Sequence, residues 1–169
     1  MTTLEKFRQE KDQFFRTAAS SPLNAEQKKD FQGLNYFPEN PALAFELIVT
    51  EFEPKEMVEM QTTAGYSKTF QRFGQFTFTA EGQTVQLTLY TMEDGSAFVP
   101  FIDSLAGTET YPAGRYLEPE PLGGSYYWVD FNYAYNPNCA YNDGWACPLT
   151  PFENRLKIPI RAGEKLFHS

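Results

Sequence analysis

The chain has 169 residues, 41% hydrophobic and 17% aromatic, which suits one domain with a single core and leaves little room for two. At this size folding buries roughly 70% of the surface the unfolded chain exposes, so neither metal nor disulfide is needed for ordinary stability. The formal charge of −8 is uneven: residues 31–151 hold fifteen acids against Lys55, Lys68, Arg72 and Arg115, a balance that argues against nucleic acid and against anionic membrane surfaces as partners.

Residues 1–18 carry seven charges and lack the apolar run of a signal peptide, and no stretch approaches the roughly 18 apolar residues of a membrane span. A cytoplasmic location is expected, with Cys139 and Cys147 as thiols. If a signal segment has been removed, export and a small disulfide loop become the reading.

In chain order, Leu4, Phe7, Phe14, Phe15 and Ala18 recur at helical spacing among charged residues, which predicts an amphipathic helix. Asn24 and Gln27 form a capping-box pattern that opens a short helix ended by Gly33. Beyond Pro38 and Pro41 the period becomes alternating. Leu43–Val49, Met57–Thr63, Phe70–Ala80 and Val85–Thr91 read as strands of a meander, with a turn at Glu81-Gly82. Ala97–Ile102 is a buried-strand candidate that Pro100 pushes toward an edge or a bulge. Thr108–Tyr111 and Ser125–Asn132 are further strand candidates.

From Asn136 onward four prolines discourage regular structure, while the aromatic content is too high for disorder. The expected architecture is mainly β: a small antiparallel β-barrel or curled sheet with one or two N-terminal helices and a Pro-rich, ordered C-terminal wrap. One domain spans 1–169, with a helical segment at 1–33, a β-meander at 42–132 and a loop-rich tail at 133–169.

Several chemistries are disfavoured. The single histidine, His168, is penultimate, a poor place for a catalytic imidazole. Cysteine and histidine together number three, short of a structural zinc set. No phosphate-cradling glycine motif is present. No metal or cofactor is expected.

Between Phe73 and Asn154, ten acids share one cation, Arg115. Its plain reading is an ion pair with Asp103 or Asp130 inside an acidic domain. Its sharper reading is a planar fork that receives an anionic or carbonyl group of a ligand. In residues 126–132, Val129 and Phe131 fall on one face and Trp128, Asp130 and Asn132 on the other. Seven of the ten tyrosines lie between 111 and 145, which fits a polar-lined pocket or a hydrogen-bonded core.

The expected function is binding of a small polar or anionic ligand in a polar-aromatic pocket around Arg115. Its candidate lining is Asp103, Tyr111, Tyr116, Trp128, Asp130, Asn132, Tyr135, Asn136, Tyr141 and Asn154. One alternative is a metal-independent hydrolase or lyase that uses Asp130 and Glu153 as its carboxylates; another is a non-catalytic interaction module.

Asp130-Phe-Asn-Tyr-Ala-Tyr-Asn-Pro-Asn-Cys-Ala-Tyr141, Cys147-Pro-Leu-Thr-Pro-Phe-Glu-Asn154 and Ile160-Arg-Ala-Gly-Glu-Lys165 resemble the bacterial and archaeal family catalogued as domain of unknown function 1684. Pro100-Phe-Ile-Asp103, Gly107-Thr-Glu-Thr-Tyr-Pro-Ala-Gly-Arg-Tyr-Leu117, Met60-Gln-Thr-Thr63 and Glu10-Lys-Asp-Gln-Phe-Phe-Arg16 extend the resemblance over nearly the whole chain. It departs at Leu105, where relatives carry threonine, and at Thr150, where a second proline is common. The resemblance implies that these segments belong together and names no substrate.

Overall fold

The computed structural model describes residues 1–168, so Ser169, the last residue of the expected tail, lies outside the described residues. Helix α1 (Thr3–Thr17) begins with a reciprocal cap, in which the Thr2 hydroxyl accepts from Glu5 N at 3.1 Å and the Glu5 carboxylate accepts from Thr2 N at 2.9 Å. Asn24 and Gln27 repeat that exchange at the start of α2 (Ala25–Asp30). Each cap satisfies amide donors that the first helical turn otherwise leaves unpaired.

Nine strands follow: β1 (Ala44–Ile48), β2 (Thr50–Glu51), β3 (Met57–Gln61), β4 (Ser67–Ala80), β5 (Gln83–Thr91), β6 (Ala97–Phe101), β7 (Arg115–Leu117), β8 (Glu120–Gly123) and β9 (Tyr126–Asp130). They form two antiparallel sheets among the described residues: one of order β1-β9-β8, and one of order β2-β4-β5-β6-β7 with β3 also paired to β4. This corrects the barrel expectation, because the pairing leaves two open sheets and closes no ring. The expected strand at Thr108–Tyr111 is a run of turns, in which Thr110 makes only an isolated bridge to Ala106. Its hydroxyl is drawn inward to Asp103 at 2.8 Å.

The large sheet has two apolar faces. Phe76, Phe78, Leu87, Leu89, Ala97, Val99, Phe101 and Leu117 cluster with Val129 of the small sheet, Phe131 of the 3-10 turn just after it, and the tail's Leu156, Ile158, Ile160 and Ala162. The intervening residues Tyr90, Phe98 and Tyr116 make a second cluster with Met60 and Phe70. For Tyr90, Phe98 and Tyr116 that alternation follows from the two-residue period of a strand, whereas Phe70, of the same parity as Phe76, is turned to this face by the β4 register shift between Arg72 and Gly74. A third cluster joins α1 to the tail through Phe15, Leu23, Leu34 and Tyr141.

Pro100 does not place β6 at an edge, since β6 lies between β5 and β7. Direct β5–β6 pairing stops at Tyr90↔Phe98, and beyond it Asn154 takes over. Its side-chain amide donates to Thr88 O at 2.9 Å and Pro100 O at 2.8 Å, and its carbonyl accepts from Thr88 N at 2.8 Å. A tail side chain thus replaces the missing ladder where the two strands splay. Gly114, just before β7, has φ +98°, and a Cβ there would sit 2.5 Å from Phe101 O. Only glycine permits that close approach, and it sets Arg115 in register opposite Phe101.

Candidate functional site

Arg115 is 1% exposed. It projects from β7 toward the tail, where its guanidinium donates to the carbonyls of Ile160 (2.9 Å), Ala162 and Glu164 (3.1 Å) and lies 3.5 Å from the Asp103 carboxylate. Asp103 accepts in turn from Thr110 Oγ1 and Ile160 N, each at 2.8 Å. Burial pulls the arginine down to about 10, with Asp103 and Glu164 opposing the shift, so the guanidinium stays charged at neutral pH. Its terminal nitrogens are spent on three alternate carbonyls of the tail, across the bend at Ala162 and Gly163. This corrects the expectation of a ligand at Arg115: the residue fastens the C-terminal wrap to the sheet.

Most other expected pocket residues are interior fasteners as well. Tyr116 donates to Pro148 O at 2.5 Å, and Tyr141 donates to Glu164 at 2.9 Å. Asn136 gives its backbone N–H to the Glu164 carboxylate and its side-chain amide to Lys165 O. Lys11 reaches the same buried carboxylate at 3.4 Å and thereby ties α1 to the tail. Asn132 sits in a 3-10 turn and pairs with the Asn40 backbone in both directions, at 2.8 and 3.0 Å. Asn154 bridges β5 and β6 as described. Tyr111 is half-buried, and burial raises its phenol pKa. Burial likewise holds the phenols of Tyr116, Tyr135 and Tyr141 neutral. None of these tyrosines is poised as a base.

Trp128, Asp130 and Tyr135 do converge. With Phe7 of α1, Leu117, Glu118, Pro119, Glu120, Val129 and Tyr133 they line a cleft of about 450 Å³ on the outer side of the small sheet. The register explains the gathering: Trp128 of β9 stands opposite Glu120 of β8, while Val129 beneath them is fully buried. Phe7 packs on Tyr133 with ring centroids 4.9 Å apart, so α1 supplies one wall. The Tyr135 hydroxyl donates to Glu118 at 3.2 Å. Asp130 accepts from Asn132 N and Nδ2, each at 2.9 Å, on one oxygen. The other Asp130 oxygen, the second Glu118 oxygen and the Glu120 carboxylate have no protein partner among the described residues.

Four aromatic rings and three carboxylates therefore face one cleft that no Lys, Arg or His lines. Sequence reasoning missed Phe7, Glu118, Glu120 and Tyr133 as cleft residues. Recognising β8 as a strand would have placed Glu120 opposite Trp128.

Asp130 and Glu153 line different clefts. Glu153 borders a second one with Val58, Met60, Arg72, Tyr90 and Leu149. There Arg72 holds it with two parallel bonds of 2.8 and 3.1 Å, and Tyr90 donates to it too. Those bonds hold its carboxyl below the usual glutamate range. The two carboxylates have separate partners and separate clefts, so they do not make an acid–base pair.

A search of the curated proteins finds no match. Among solved structures, the chain is similar to the solution NMR structure of the uncharacterized protein from gene locus rrnAC0354 of Haloarcula marismortui, at 36% identity and a TM-score of 0.74, over 96% of this chain and 91% of that one. A family model described as protein of unknown function (DUF1684) matches residues 29–165, and the chain belongs to that family.

Proposed function

We propose that this protein binds a small organic cation, an alkylamine or a quaternary ammonium compound, in the cleft between α1 and the small sheet. The observation that carries the reading is the lining: Phe7, Trp128, Tyr133 and Tyr135 beside Glu118, Glu120 and Asp130, without a basic side chain. A charge about 4 Å from a carboxylate interacts by roughly 1 kcal/mol in water and roughly 4 kcal/mol at an effective dielectric near 20. A cation over an aromatic face gains about 0.5–2 kcal/mol. The carboxylates thus decide the sign of the ligand's charge, and the rings favour a large, weakly hydrated cation over a compact, strongly hydrated one.

Lys11 Nζ, which pairs with the buried Glu164 outside the cleft lining, lies 5.1 Å from the Tyr135 ring centroid, an intramolecular instance of the same chemistry. Leu122 and Tyr126 are exposed one step further along β8 and β9 and extend the surface available to a ligand's apolar portion. This reading keeps a small polar ligand and the Trp128, Asp130 and Tyr135 lining, and moves the site away from Arg115.

Titration of the isotope-labelled protein with tetramethylammonium, butylamine and butyrate, followed by NMR, tests it. Saturable shifts of the Trp128 indole and the Tyr133 and Tyr135 rings with the two cations, and none with butyrate, are expected. Saturable binding of butyrate at these rings, or shifts confined to other residues, would overturn it.

A further inference from the structure

Cys139 and Cys147 play no part in the cleft, yet the fold brings their sulfurs to 2.6 Å. Cys139 is the middle residue of a 3-10 turn (Asn138–Ala140) and is half-buried, whereas Cys147 is buried. Both are held by the turn that follows β3. The Thr63 hydroxyl donates to Trp145 O at 2.6 Å, accepts from Cys147 N at 3.1 Å and lies 3.3 Å from Cys139 Sγ. Thr63 N donates to Cys147 O at 3.1 Å, and Leu149 N to Gln61 O at 2.8 Å. Lys68 Nζ donates to Ala146 O at 3.0 Å. The pair is therefore positioned by backbone and side-chain bonds on both flanks, and closing to an S–S bond of about 2.05 Å needs only a small local movement of the sulfurs.

We propose that Cys139 and Cys147 are a dithiol–disulfide couple that exchanges with small soluble disulfides, with Cys139 as the entry thiol and Cys147 as the resolving thiol. The half-buried Cys139, as thiolate, attacks one sulfur of a disulfide R–S–S–R. The S–S bond of the reagent breaks, one RS⁻ leaves, and a mixed disulfide forms on Cys139. Cys147 then loses its proton and attacks the Cys139 sulfur, expelling the second RS⁻ and closing the internal disulfide. The two protein thiols lose two electrons, the reagent gains them as two thiols, and the two cysteine protons end on those thiols. Burial raises the Cys147 thiol above its ordinary pKa, consistent with a group that stays protonated until its neighbour has reacted.

Closure fixes a loop whose tip holds other parts of the molecule. Asn142 Nδ2 donates to Pro22 O at 2.6 Å and to Gln27 Oε1 at 2.7 Å, which anchors α2, and Tyr141 reaches the buried Glu164. A disulfide here removes freedom mainly from the unfolded chain, so the oxidised protein should melt several degrees above the reduced one.

The test equilibrates the native protein in glutathione buffers of increasing oxidised fraction, blocks free thiols by alkylation, and reads intact mass. Wild type should pass from two blocked thiols to none, with no accumulated glutathione adduct. Cys147→Ser should trap one glutathione on Cys139, and Cys139→Ser should take up none while folded. Two free thiols throughout the series, a wild-type mixed disulfide that persists, or equal adduct on both variants would overturn the proposal. The wild-type series stands by itself if either variant fails to fold.

Discussion

Two regions of this protein gather charge beside aromatic rings, and they use it in opposite ways. At Arg115 the guanidinium meets one carboxylate and three carbonyls, with Phe101 and Phe37 packed about it, and it is shut away from water. In the outer cleft, Glu118, Glu120 and Asp130 retain unused acceptor capacity beside Trp128 and Tyr133. A single cation in an acidic stretch draws attention as a binding group, yet its isolation is what one expects of an internal fastener whose partners are mostly backbone. Unused acceptor capacity lies instead where carboxylates outnumber donors at a surface.

The sharpest way to break this contrast is Arg115→Met. It should strand Asp103 as a buried charge and destabilise the fold by about 3–5 kcal/mol, read by urea denaturation, without any selective loss of cation binding in the fraction that remains folded. Asn154→Ala, which leaves Thr88 and Pro100 backbone groups unpaired inside, should cost about 2–3 kcal/mol in the same measurement. Neither residue touches the outer cleft, so a variant of either that weakened binding while fully folded would blur the distinction.

Trp128→Ala works the other way. Alkylammonium affinity should fall roughly tenfold, while the unfolding free energy falls by about 1–2 kcal/mol for the half-buried indole, less than for Arg115→Met. The smallest effect belongs to Arg72–Glu153. Its hydrogen bonds to Arg72 and Tyr90 depress the Glu153 pKa in the folded state, so its stabilisation is fully present above the ordinary glutamate value near ~4.3 and is lost as pH falls through the lower folded-state value. The pair is about one-third exposed, at 32% and 35% of the two side chains, and solvent still screens it, so Glu153→Gln should cost no more than about 1 kcal/mol at neutral pH, and should narrow the gap to wild type as denaturation is repeated below pH 4.

The parts of the fold that the sequence discloses are those with local causes. The Asn24–Gln27 cap and the alternation of β4 and β5 each depend on a few neighbouring residues, and each is found where expected. β7 and β8 are three and four residues long, with Pro119 between them and Pro121 inside β8, too short for a period to emerge. Without them, Glu118 and Glu120 remain two acids among many, and the cleft is half-read through Trp128, Asp130 and Tyr135 alone. An ion pair of Arg115 with either Asp103 or Asp130 is available from charge arithmetic, and the structure selects Asp103. The three carbonyl partners of Arg115 are not available in that way, because a backbone acceptor in the 160–164 segment has no residue-type signature. Asn132, Asn136 and Asn154 carry the same lesson: each amide substitutes for missing backbone pairing, which only the three-dimensional path of the chain reveals.

The most direct test of the cation cleft uses a Trp145→Phe protein, in which Trp128 is the sole tryptophan, and follows its emission during titration with tetramethylammonium chloride and, at matched ionic strength, sodium chloride. A saturable change with tetramethylammonium and a flat response to sodium is the predicted result. Superimposable titrations with the two salts would contradict the account.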